Sequence, residues 1–167
     1  MKPETRLKAR KTVERHEGRR PKKYPDSKGI PSIAIGFNLT RKDAAQLLLK
    51  VGVSVDDLRG VLDGTLALTD AEIDALFDIT LDEAIGEATV LFPHFDSMDD
   101  NAQVVVIDLI FNMGETGLSR FHQTVKDLTA GQDEAAAQDL IHSLWFTQVK
   151  TRGVDDINIL EGKDATA

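Results

Sequence analysis

The chain contains no cysteine among its 167 residues. Disulfides, zinc–thiolate centres and thiol nucleophiles are therefore excluded, and the fold must hold by packing alone. Aromatic side chains are scarce, at 5%, with one tryptophan and one tyrosine. No apolar run approaches the roughly 18 residues that would span a bilayer, so no membrane insertion is expected. The first fifteen residues are highly charged and lack an apolar h-region, so no secretion signal is read there. The four histidines, His16, His94, His122 and His142, share no metal-ligand spacing. Neither a metal nor another cofactor is expected on that ground.

What is present is a 41% apolar share, enough at this length for one domain or for two small lobes. The net charge of −8 is unevenly spread: residues 1–41 carry 12 Lys and Arg against 4 Asp and Glu, a local balance of +8, and the remainder carries 8 against 24, a balance of −16. A basic first region suits an anionic polymer such as nucleic acid, a membrane surface or bacterial cell wall, or else it is a solvated face without a partner. Nucleic acid is disfavoured, because no DNA- or RNA-binding motif appears and the longer part of the chain is acidic.

Thr5 to His16 is compatible with a helix that Gly18 ends. Residues 19–39 hold Pro21, Pro25, Gly29, Pro31 and Gly36 between short apolar stretches such as Ile33-Ala34-Ile35. That texture predicts a small turn-rich β-sheet, with Pro25 to Gly29 as a turn. Beyond Asn38 the chain reads as helical. Thr40 is a candidate N-cap, and Thr69 with Glu72 forms a capping box ahead of a periodic apolar face from Ile73 to Ala88. Ser97 is a candidate cap for a helix whose body, Val104 to Phe111, is apolar nearly all round and is expected to end at Gly114. Asp108 inside that run needs a partner if it is buried. Shorter helices are expected near residues 120–130 and 133–142, Trp145 is expected in the core, and the tail after Glu161 is expected to be loose. The chain is thus read as one domain over 1–167, of α+β class. A small N-terminal lobe (about 1–50) holds a short antiparallel sheet, a larger mostly helical lobe (about 51–167) follows, and a cleft between lobes is the expected place for a ligand.

Glu17 falls at the end of the first helix, Asp26 in the turn of the sheet and Ser32 on or near the next strand. Two acids in different settings suit glycoside hydrolysis, where one protonates the leaving oxygen and the other activates water or supports positive charge. A hydroxyl beside them can hold the water. The bland alternative makes Glu17 a surface residue and Asp26 a turn former.

The segment Glu17-Gly18, Tyr24-Pro25-Asp26-Ser27-Lys28-Gly29 and Ser32-Ile33-Ala34-Ile35-Gly36 resembles the active-site stretch of the T-even-type phage lysozymes. Phe111-Asn112-Met113-Gly114-Glu115-Thr116-Gly117 with Phe121 resembles that family's cleft-lining helix end. Asp133 to Ala136, then Trp145 and Arg152, give a third match in the same order. The resemblance implies a lysozyme-like fold and an N-acetylmuramidase of inverting stereochemistry in the family's manner. It implies Glu17 as general acid, Asp26 acting on water or on developing charge, and Ser32 positioning that water. Phe111, Asn112, Thr124 and Asn38 would line the sugar site, and Arg152 would lie near Glu17 and orient it. The implied partner is bacterial peptidoglycan. The implied biology is a monomeric endolysin held in the host cytoplasm until it is released to the wall. A wall-degrading virion or toxin domain, or a module that binds wall without cutting it, are the alternatives. Two departures from the family stand out: Ser32 where threonine is usual, and Phe37 where histidine often follows the glycine.

Overall fold

The computed structural model describes residues 1–163. The expected loose tail after Glu161 lies largely outside the described residues. In chain order the elements are α1 (Pro3–Glu17), β1 (Arg20–Pro25), β2 (Pro31–Ala34), β3 (Phe37–Asn38), α2 (Ala44–Lys50), α3 (Val55–Asp63), α4 (Asp70–Leu91), α5 (Asp100–Leu118), α6 (His122–Thr129), α7 (Asp133–Ile141), α8 (Leu144–Val149) and α9 (Thr151–Leu160). This is the α+β, lysozyme-like organisation expected, with a small sheet and a helical majority. Among the described residues no helix is long and apolar enough to cross a membrane.

Two compact units emerge, 17–83 and 1–16 together with 84 onward. The division differs from the one that composition suggested near residue 50. The first helix belongs with the helical unit despite its basic composition, because Ala9 and Val13 are fully buried.

In the unit 17–83 the strands form one antiparallel sheet in the order β1-β2-β3. Tyr24 pairs with Ser32, and Ser32 pairs with Asn38. Directly paired residues share a face of a sheet, so these three side chains stand in one row. Ile33, Ile35, Phe37, Leu48, Val61, Ile73, Leu76, Phe77 and Leu81 are the larger of this unit's buried apolar residues, with Ala34, Ala44, Val53 and Leu68 beside them. The capping box of α4 is present: Glu72 N donates to Thr69 Oγ1 at 3.3 Å and Thr69 N to the Glu72 carboxylate at 2.7 Å. The Thr40 cap is not. Helix α2 begins three residues later behind Asp43 with no side-chain cap, and the Thr40 hydroxyl donates instead to Asn38 Oδ1 at 2.7 Å. Helix α3 carries a legible cap that the sequence reading did not use: Ser54 Oγ accepts from Asp57 N at 3.1 Å.

In the helical unit α5 is buried along Ala102 to Ile110, as an all-round apolar helix must be. It packs on α9, while α7 packs on both α6 and α9. Its cap is Asp99, whose carboxylate accepts from Asn101 N at 2.8 Å, rather than Ser97, whose hydroxyl closes a short 3-10 turn onto His94 O at 2.9 Å. An Asp two positions nearer the helix outcompeted the serine. Gly114 breaks the regular path of α5 where the sequence placed its end. It adopts φ 73° and ψ 163°, and the helix resumes as far as Leu118 across the kink.

Candidate functional site

Glu17 is the last residue of α1, and Gly18 leaves the helix with φ +74°. The Glu17 side chain is half-buried. One neighbour of that side chain is Gly36, at φ +65° in the turn between β2 and β3: a Cβ placed there would sit 2.9 Å from Glu17 Oε2 and 3.1 Å from Cδ. Only the bare glycine lets the turn approach the carboxylate this closely. Residue 36 is therefore part of the acid's immediate wall.

Asp26 occupies the β1–β2 hairpin, half-buried. Its Oδ1 accepts from two main-chain amides, Lys28 N and Ile30 N, each at 2.8 Å. Its own backbone closes the turn, with Asp26 N donating to Ile30 O at 2.9 Å and Gly29 N to Asp26 O at 3.0 Å. The turn-former reading of Asp26 holds for one of its two oxygens. Oδ1 shapes the hairpin, and Oδ2 carries no hydrogen bond among the described residues.

Ser32 is only 3% exposed, and its Oγ donates to Ile30 O at 3.3 Å. The same residue, Ile30, therefore ties Asp26 and Ser32 together, donating to the one and accepting from the other. Asn38 lies beyond Ser32 on β3. Its Oδ1 accepts from both Thr40 N and Thr40 Oγ1 at 2.7 Å, so the side-chain amide nitrogen is the group left for a ligand.

Tyr24 completes the row, and the sequence reading gave it no role. Burial pushes its phenol pKa up, and the negative charge of Glu17 pushes it further, with a smaller push from Asp26. Arg20 opposes this from over the ring, its guanidinium 5.7 Å from the centroid. Both carboxylates thus oppose ionisation of this one phenol. Its signal in sequence was its position two residues before Asp26, on the sheet face that Ser32 shares.

The remaining expected site residues lie in the helical unit. Phe111 is half-buried near the end of the straight part of α5. Asn112 Oδ1 accepts from the indole Nε1 of Trp145 at 2.8 Å. Trp145 is 7% exposed, in the core as expected, and its polar edge fixes Asn112. Thr124 is 2% exposed on α6. Arg152, on α9, donates from Nε to Asp108 Oδ2 at 2.7 Å and from Nη2 to Asp108 O at 2.9 Å.

That pair belongs to a buried polar cluster. Asp108 and Asp156 are each 0% exposed. His16 Nδ1 lies 3.0 Å from Asp108 Oδ1 without the alignment of a hydrogen bond, and His16 Nε2 lies 3.1 Å from Asp155 Oδ2. Burial resists charge on the Asp108 carboxyl, but His16 and Arg152 outweigh it and hold its pKa below the ordinary range. Burial likewise opposes the imidazolium of His16, yet Asp108 and Asp155 raise its pKa overall. Asp156 goes the other way: burial, then the charge of Asp108, drives it well above the ordinary carboxylate value. The need for a partner at Asp108 was legible in sequence, whereas the meeting of α1, α5 and α9 that supplies His16, Arg152 and Asp156 was not.

Residues 14–155 match the family model described as phage lysozyme. The chain is 24% identical over 156 residues to the probable T4-type lysozyme 2 of Dictyostelium discoideum, covering 87% of this chain and 88% of that protein. It is 27% identical over 155 residues to the probable T4-type lysozyme 1 of the same organism, again covering 87% and 88%. It is also 27% identical over 146 residues to the pre-baseplate central spike protein Gp5 of Enterobacteria phage T4, covering 84% of this chain and 25% of the spike protein.

Proposed function

This chain belongs to the phage lysozyme family, and from that premise we propose that it hydrolyses the β-1,4 bond between N-acetylmuramic acid and N-acetylglucosamine in bacterial peptidoglycan. Family membership implies glycoside hydrolase chemistry, and the residues for it are gathered in the unit 17–83. The observation that carries the proposal is the division of labour at Asp26. Two main-chain amides fix Oδ1, Oδ2 is left without a hydrogen bond among the described residues, and the Ser32 hydroxyl is tied to the carbonyl of Ile30, whose amide also holds Asp26. A carboxylate held in this way is oriented before substrate arrives.

In the proposed reaction Glu17 gives its proton to the glycosidic oxygen as the C–O bond breaks. Water attacks the anomeric carbon from the opposite face, directed by Ser32, and surrenders a proton toward Asp26. The two carboxyls exchange their protonation states, and the product anomer is inverted. Tyr24, whose phenol lies within the influence of both carboxylates, contributes a neutral wall to the site. Phe111, Asn112, Thr124, Asn38 and Arg152 are proposed to contact or orient sugar, with Asn112 preset by Trp145. The biological role proposed is host lysis by a monomeric endolysin. Similarity to the phage spike protein, of which this chain spans a quarter, favours as a second reading a wall-cutting domain that acts from a virion.

The test is turbidity loss and release of reducing ends from purified peptidoglycan, with the wild type beside Glu17→Gln. The wild type should clear the suspension. The variant should keep its melting temperature and lose about 10²–10⁴-fold in rate, the usual contribution of a positioned acid. A wild type that pellets with wall and never cuts it would make the chain a binding module. A fully active variant would move the proton donor elsewhere.

A further inference from the structure

The buried cluster at the meeting of α1, α5 and α9 has an unusual internal accounting. Its outward-facing atoms are all engaged. Asp108 Oδ2 takes the Arg152 Nε–H at 2.7 Å, and His16 Nε2 faces Asp155 Oδ2 at 3.1 Å. Its inward-facing atoms are not. His16 Nδ1, Asp108 Oδ1 and both carboxylate oxygens of Asp156 are buried and have no hydrogen-bond partner. One ligand atom from each of these three residues lies within 4.8 Å of the other two. Buried polar atoms are hydrogen-bonded in the great majority of native structures, yet His16 Nδ1 and Asp108 Oδ1 meet only as an ion pair at 3.0 Å and the Asp156 oxygens have no hydrogen bond, so three donor atoms, one from each residue, stand together with room for an occupant.

We propose that His16, Asp108 and Asp156 form a binding site for one divalent transition-metal ion, with zinc the best fit. One imidazole nitrogen with two carboxylates is a donor set that zinc accepts at tetrahedral geometry, with water or the second Asp156 oxygen as fourth ligand. The surroundings match those of a metal-bound histidine. Asp155 accepts from Nε2–H, which fixes the tautomer that turns the Nδ1 lone pair inward, and Arg152 holds the second oxygen of Asp108. All three ligands sit on helices, the rigid support such a site needs. Binding would displace a proton from the cluster, as metal ligation commonly does. Separations in sequence of 92 residues between His16 and Asp108 and 48 between Asp108 and Asp156 explain why no ligand motif was visible. The site is structural, and none of its three ligands has a role in the hydrolytic reading.

The full-length protein, stripped with chelator, would be titrated with Zn2+ alone by equilibrium dialysis and followed by thermal melting. We expect one ion per chain, and a melting point raised by about 5 °C or more when zinc is in hundredfold excess over its dissociation constant. Asp156→Asn should weaken binding about 100-fold and abolish the shift. Asp155→Asn, a substitution at a partly exposed position that leaves the three ligands in place, should weaken it about tenfold. Absence of zinc binding in the wild type overturns the proposal. So does binding of equal strength in both variants, which would place the ion on the acidic surface.

Discussion

The two units treat polar groups in opposite ways. In residues 17–83, of the polar side chains proposed for chemistry, Glu17, Asp26, Tyr24 and Asn38 are half-buried and Ser32 is buried, and Asp26 and Asn38 are held by the backbone amides of their own turns. In the helical unit His16, Asp108, Arg152 and Asp156 are withdrawn from solvent and held, where they are held at all, by one another. Main-chain anchoring leaves part of a side chain available to a substrate. Mutual anchoring in the interior consumes the charges and makes each depend on the next. The first arrangement tolerates a lost charge and keeps its shape, while the second does not.

The largest expected effect sets that contrast at its sharpest. Arg152→Ala leaves Asp108 buried beside Asp156 with only His16 to oppose its charge, and should cost about 3–5 kcal/mol in urea denaturation. A loss below about 1 kcal/mol would mean that the cluster is wetter than its burial implies. Gly36→Ala attacks the other unit by shape alone. The new methyl meets the Glu17 carboxylate in a left-handed backbone conformation, so about 1–2 kcal/mol of stability and about 100-fold in rate should go together. Unchanged lysis by a folded Gly36→Ala protein would detach residue 36 from the acid.

Asp156→Asn gives a pH signature. The Asp156 pKa is raised on folding, first by burial and then by Asp108. Its contribution to stability is therefore complete below the unfolded value near about 4 and is lost as pH climbs through the folded value. In ion-free buffer the variant should gain on the wild type by roughly 1–3 kcal/mol at pH 8, and the gap should close toward pH 4. His16, Asp155 and Arg152 remain in both proteins, so the difference isolates one carboxyl. A gap that widened toward acid would reverse the assignment. The smallest effect is Trp145→Phe, which removes the indole donor to Asn112. It should cost about 1 kcal/mol and raise KM for wall fragments more than it lowers kcat.

Much of this was legible in sequence where the cause is local. The periodic apolar face behind Thr69 and Glu72, the all-round apolar run of α5 and the proline-glycine texture of the sheet each gave the right element. Cap choice failed at Thr40 and Ser97, because several Ser, Thr and Asp residues compete near a helix start and geometry picks among them. Asp26 and Ser32 were singled out by the resemblance to the family's active-site stretch, and one hairpin carries both. Tyr24 needed the strand register, and Gly36 needed the distance from its bare Cα to Glu17. The histidine–aspartate cluster needed three helices at once, and no window of sequence contains them.

The pairing of Tyr24 with Ser32 and of Ser32 with Asn38 also makes the sheet a ruler. Residues along a strand alternate between faces, so one extra residue in the Asp26–Ile30 turn would do more than lengthen a loop. It would put the hairpin out of step and turn Ser32 away from Asp26, though every side chain was still present. The same insertion beside Gly131, in the turn between α6 and α7, would cost only a little chain entropy. For this protein the reading frame of one short hairpin constrains evolution more tightly than the identity of most residues around it, and natural variation in length should avoid it.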